Sequence, residues 1–208
     1  MQFLLRLALL LILPILGACH APAAQEEAST PTHPELQTKI LDMAAQDQAV
    51  RQEWIDVGVE NASQDLMMRL MMTDLQNTAE MKKIIENHGW PSVEMIGQDG
   101  VKAAFLLVQH ADKDPNFQRQ MLPHIRAAYE KGQISGQEVA LLTDRVLIAY
   151  KKPQRYGTQA DIVDGEIVFK PVEDPEQLDQ RRAQMGLPSM DEYLKLLRQA
   201  YQLEPKGS

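Results

Sequence analysis

The sequence predicts a mainly α fold, a compact helical domain with one small β-hairpin near its C-terminal side. Three observations predict it. Apolar residues recur at helical spacing along most of the chain after residue 35. Ser or Asn followed three residues later by Glu marks several helix starts. A single pair of β-branched runs flanks an Asp-Gly, which is a hairpin signal.

The first element is an export signal. Arg6 is the one side-chain charge in an apolar stretch from Phe3 to Leu16. That stretch is too short and too early for a lone membrane span, and it has the layout of a secretory signal peptide over residues 1–18. It ends Leu16-Gly17-Ala18-Cys19, which resembles the lipobox of bacterial lipoproteins. The resemblance implies acylation of Cys19, a membrane anchor without a spanning helix, and a cell-envelope location. Position 20 is His rather than Asp, which by the same resemblance implies the periplasmic face of the outer membrane. Cys19 is the only Cys, so the domain folds without an internal disulfide.

Loss of Arg6 with the leader takes one from the 21 basic side chains and leaves a balance of −9 against 29 acidic ones. That repels nucleic acid and anionic lipid, and no basic block compensates. Residues 19–34 then read as the lipidated Cys and a flexible tether of Ala, Pro, Ser, Thr and Glu. Residues 35–208 read as a single helical domain.

Within that domain Leu36, Ile40, Met43, Val50 and Trp54 share a helical face that Asp47 interrupts. A second helix is expected over about residues 62–75, and Asn77-Thr-Ala-Glu80 has the spacing of a capping box for a third. That helix carries Met81, Ile84, Ile85 and His88 at packing positions, and Gly89 and Pro91 end it. Val101–Ala111 has almost no polar face and should be central. Asp114-Pro115 opens the next helix, with Phe117, Met121, Ile125 and Ala128 inward and Pro123 expected to kink or split it. Ser135 to Glu138 is a capping box for Val139–Tyr150, again apolar nearly all round. Ile162 to Phe169 around Asp164-Gly165 is the hairpin, and Ser189 to Glu192 caps a final helix ending near Leu203.

The chemistry-bearing residues lie in two central helices and one loop. The first helix ends Gln109-His110-Ala111-Asp112, and the second contains Asp144-Arg145 among apolar neighbours. A charge there is costly unless paired. Gln154-Arg155-Tyr156-Gly157-Thr158-Gln159 supplies amides, a guanidinium and a phenol suited to fixed hydrogen bonds. Gathered into one pocket, His110 would transfer protons, since imidazole titrates near neutrality, with Asp112 or Asp144 orienting it. Arg145 or Arg155 would hold an anion, and Gln109, Asp144, Gln154, Tyr156 and Gln159 would line the rest. The competing reading is a buried polar network that locks the loop against two central helices.

His88 and the run Met67-Met68-Arg69-Leu70-Met71-Met72 read as packing residues on their spacing, although thioethers also bind Cu(I). No His/Cys/Asp cluster has zinc spacing, so no metal and no cofactor is implied. There is no GxSxG elbow, P-loop or GxGxxG.

Taken with His88-Gly-Trp-Pro91 and Arg181-Arg182…Gly186-Leu187-Pro188, the QHAD, Asp144-Arg145 and QRYGTQ strings resemble a bacterial family of unknown function over about Glu35 to Leu203. The resemblance supports the choice of residues and carries no activity. The expectation is a lipid-anchored envelope domain that binds a small polar or anionic ligand in the QHAD/QRYGTQ pocket. The alternatives are an envelope hydrolase or lyase using His110, and an accessory lipoprotein recruiting a protein partner.

Overall fold

The computed structural model describes residues 30–203. The expected leader, Cys19 and most of the tether lie outside the described residues. The fold is mainly helical with one small antiparallel hairpin near the C-terminal side, as the periodicity predicts. The chain forms two compact units.

One unit holds residues 30–57 and Asn61–Ile134. It contains α1 (Pro34–Asp56), α2 (Gln64–His88), α3 (Val93–Gln109) and α4 (Pro115–Glu130). Thr32 and His33 donate backbone hydrogen bonds to the Glu94 and Met95 carbonyls, so the chain is fixed to the start of α3 before α1 begins. Three ion pairs set α1 antiparallel to α2: Lys39 with Glu80, Arg51 with Asp74 and Arg69 with Glu53. Phe117, Met121, Ile125 and Ala128 of α4 are buried, as their spacing predicts.

Local expectations are corrected at Asn77 and His88 and, as to a split helix, at Pro123. Asn77 does not start a helix, because α2 runs unbroken through it. An N-cap needs non-helical backbone, and no Gly or Pro between Leu75 and Met81 interrupts propagation. Thr78 instead turns its hydroxyl back onto the Asp74 carbonyl, 2.7 Å away. Pro123 does not split α4, which continues across it to Glu130. The true start of α2 is capped by Ser63, which accepts from the Leu66 amide. His88 is exposed rather than packed, with its ring edge-on to His33 at 5.8 Å.

The other unit holds Gly58–Glu60 and the chain from Ser135 onward. It contains α5 (Gly136–Ala149), β1 (Ala160–Val163), β2 (Glu166–Phe169), α6 (Leu178–Gln184) and α7 (Met190–Ala200). Capping boxes at Ser135/Glu138 and Ser189/Glu192 open α5 and α7 as expected. β1 pairs with β2 in the register Ala160↔Phe169 to Val163↔Glu166. Asp164 and Gly165 both take positive φ, 52° and 75°, as a two-residue hairpin turn with right-handed strand twist demands. Glu60 clamps that turn, accepting from the Asp164 and Gly165 amides. Gly136 admits the backbone of Met185 so closely that a Cβ there would lie 2.2 Å from its carbonyl oxygen. Among the described residues, no helix is long and apolar enough to cross a membrane.

Candidate functional site

The buried face of α1 runs Ile40, Ala44, Asp47, Arg51 and Trp54. Asp47 therefore does not interrupt the core stripe. It sits on it, one turn before a cation of opposite charge. Asp47 is 0 % and Arg51 2 % exposed. Charges at that depth persist only when paired, and these are. Arg51 Nη1 donates to Asp47 Oδ1 at 2.7 Å, and Nη2 donates across to Asp74 Oδ1 of α2 at 2.6 Å. Asp74 stands at the edge of this network, with 18 % of its side chain exposed.

The same Asp47 carboxylate meets His110. Its two oxygens lie 2.8 and 2.7 Å from His110 Nδ1. Burial works against ionised Asp47, but the hydrogen bond and charge of His110, with Arg51 and Gln48, outweigh it and hold the carboxyl below its ordinary range. An ionised carboxylate at this distance requires Nδ1 to carry the hydrogen, which fixes the tautomer of the ring. Asp74 is shifted the other way, up to about 6. Burial raises it, Arg51 opposes, and the negative charges of Asp47 and Asp112 add to the rise.

The end of α3 delivers His110 to this point. α3 stops at Gln109, so His110 and Asp112 lie in the turn that follows. Gln118 of α4 ties that turn down. Its Nε2 donates to the Gln109 carbonyl at 2.8 Å and approaches Asp112 Oδ1 at 3.3 Å. Gln109, His110 and Gln118 are each 1 % exposed. Four buried polar atoms around these residues and on α2 have no hydrogen-bond partner among the described residues: Arg51 Nε, Asn77 Nδ2, Gln109 Nε2 and Gln118 Oε1.

Asp47, Asp74 and His110 could each offer one metal-ligand atom within 4.8 Å of the others. Arg51 already bonds both carboxylates and is too buried to swing away. The positive charge between them is the guanidinium's, so the arrangement is a buried ion-pair network.

In the other unit, Asp144 is fully buried on α5 and the QRYGTQ loop closes round its carboxylate. The amides of Arg155, Tyr156 and Thr158 donate to it at 2.7, 3.0 and 2.9 Å, and the Thr158 hydroxyl donates at 2.9 Å. Burial raises the Asp144 carboxyl above its ordinary range, against the pull of those donors. Gly157 makes the turn at φ 68°, where a Cβ would meet Met190 Sδ at 2.9 Å and Leu178 Cδ2 at 3.3 Å. Gln154 Nε2 donates to the carbonyls of Gln159 and Lys170, and its Oε1 accepts from the Gln159 amide. The Gln159 amide side chain donates to Thr158 Oγ1.

The expected anion-holding groups are placed differently from one another. Arg155 extends to solvent and pairs with Glu173 at 3.1 Å. Arg145 is buried on α5. Arg182, which is fully buried, donates to the carbonyls of Tyr156 and Pro188 and lies 4.5 Å over the Tyr193 ring. Tyr193 in turn donates its hydroxyl to the Thr158 carbonyl.

Asp47 is a partner of His110 beyond the Asp112 or Asp144 expected from sequence. Sequence reasoning missed Asp47, Arg51 and Asp74 as members of the site. The readable signal was an Asp and an Arg of opposite sign, four apart, on a helix face otherwise apolar.

The model of a family of unknown function, DUF6624, matches residues 34–206. The chain belongs to that family. The DUF6624 match covers both the Asp47/His110 network and the Asp144 loop. No curated protein and no solved structure matches the chain.

Proposed function

We propose that this DUF6624 protein is a lipid-anchored cell-envelope enzyme that works by acid–base chemistry at His110, as a hydrolase or lyase. The observation that carries the reading is the Asp47–His110 pair with Asp74 beside it. Two carboxyls of one network are pushed in opposite directions, which is the pattern of a site that divides acid and base roles. Asp47 fixes the ring and its tautomer. The His110 ring takes or gives the proton. Asp74, which reaches the surface and whose carboxyl is pushed up to about 6, is the second proton carrier. Arg51 keeps the two carboxylates from repelling one another.

Acid–base chemistry is favoured over anion binding here because Arg155, the exposed guanidinium expected to hold an anion, is paired with Glu173. The test is turnover by the full chain in detergent of a panel of chromogenic esters, phosphodiesters, glycosides and amides, with His110→Gln alongside. Loss of turnover in a folded His110→Gln protein is expected. No turnover of any substrate, or equal turnover by the variant, overturns the reading. The anchor rests on Leu16-Gly17-Ala18-Cys19. Cys19→Ala should move the protein from the membrane to the soluble fraction, and a processed variant that stays on the membrane refutes it.

A further inference from the structure

The run Met67 to Met72 lies near the start of α2. Its contribution to the core comes from Leu70, with Leu66 one turn earlier, at 5 % and 3 % exposure. The methionines do not share that task. Met68 and Met72 are 54 % and 44 % exposed, and Met67 and Met71 are half-buried. At about 100° per residue, Met68, Met71 and Met72 fall within an arc of about 100° on the side of α2 opposite Leu66 and Leu70.

Residues three and four apart on a helix have Cβ atoms about 5–6 Å apart. A methionine sulfur rides on a chain of three rotatable bonds. Three such sulfurs can therefore meet at one point above the helix. Arg69 is the only charge within the run, and it is held aside by Glu53 and Asp65. Nothing cationic is left pointing at the sulfurs from within the run.

We infer that Met68, Met71 and Met72 form a three-thioether site for Cu(I). Thioethers are soft, neutral ligands and select a soft monovalent ion over divalent first-row ions. They carry no proton at any ordinary pH, so binding releases none. That separates this site from one built on thiolate or imidazole, whose affinity falls in acid. An apolar docking face is the competing use of the same stripe, since Leu75 continues it at 42 % exposure.

The two uses part on one substitution. Met→Leu keeps the apolar surface and the helix propensity and removes only the sulfur. The full chain in detergent micelles is titrated anaerobically with Cu(I) against a chromogenic chelator, beside the Met68→Leu/Met72→Leu double variant and a Met67→Leu control. Cys19 is common to all three, so the difference between them reports the thioethers. The wild type and the control should bind one more Cu(I) than the double variant, with an affinity that does not fall as the pH is lowered. Ag(I), as an air-stable substitute, should shift the ε-methyl resonances of Met68, Met71 and Met72. Equal Cu(I) uptake by wild type and double variant overturns the site and leaves the docking face. An acid-sensitive difference between them overturns the all-thioether ligand set.

Discussion

Replacing Asp144 by Ala tests what the QRYGTQ loop is built around. The carboxylate accepts three backbone amides and one hydroxyl, at 2.7–3.0 Å for the nearest contact of each. Arg155 is exposed, so its amide can recruit water. Thr158 is 3 % exposed and Tyr156 half-buried, so their donors cannot readily do so. A buried donor left without a partner costs about 1–3 kcal/mol. Two amides and the hydroxyl together come to roughly 3–6 kcal/mol, once relief from burying a charge is set against them. That is a large part of the roughly 5–15 kcal/mol that holds a domain together. Asp144→Asn keeps one acceptor oxygen and should lose about half as much. Urea unfolding followed by far-UV circular dichroism gives the energies, and amide exchange at Tyr156 and Thr158 locates them. An Asp144→Ala protein within about 1 kcal/mol of wild type, with both amides still protected, would show that the carboxylate does not organise the loop.

Arg155→Ala should cost at most about 1 kcal/mol in urea unfolding, because its one ion pair, to Glu173, is solvent-exposed. A loss of several kcal/mol would contradict that placement. Arg51→Met strands the Asp47 and Asp74 carboxylates and should cost about 3–5 kcal/mol by the same assay, whereas a neutral result would mean they need no cation. Asp74 holds its proton more tightly folded than unfolded, so its contribution to stability is full below 3.8 and is lost as the pH rises through about 6. Relative to wild type, Asp74→Asn should gain stability with rising pH across that window, and a trend of opposite sign in pH-dependent unfolding would refute the shift.

Much of the fold could be read before the coordinates because local rules and packing agreed. Ser135/Glu138 and Ser189/Glu192 start helices as their spacing says, and Asp164-Gly165 turns the hairpin. Asn77/Glu80 has the same spacing and starts nothing. A capping box is a local option, and here continued helix kept Asn77, Met81 and Ile84 on one buried face. The candidate site was half legible. His110 stood out as a polar residue at the end of an apolar helix. Its partners come from residues 63 and 36 positions earlier, and a single chain carries no mark of such long-range pairing. Asp47 was visible only as a flaw in a stripe. Reading it beside Arg51 as a compensated pair would have put both inside the core. The loop misled in the opposite sense, since a string rich in recognition side chains turned its backbone, rather than its guanidinium, toward the nearest carboxylate.

Gln154 has a consequence for how the two-stranded ribbon keeps its alignment. Such a ribbon alone is marginally stable in water. A slip of one residue turns over the faces of the strand that moves. The Gln159 carbonyl still accepts the Lys170 amide, but the return bond is interrupted by the Gln154 side chain, which donates to Lys170 and accepts from Gln159. The inserted amide reads both strands at once. Sliding one strand past the other would tear its donor and acceptor contacts together, so this one side chain acts as an alignment gauge.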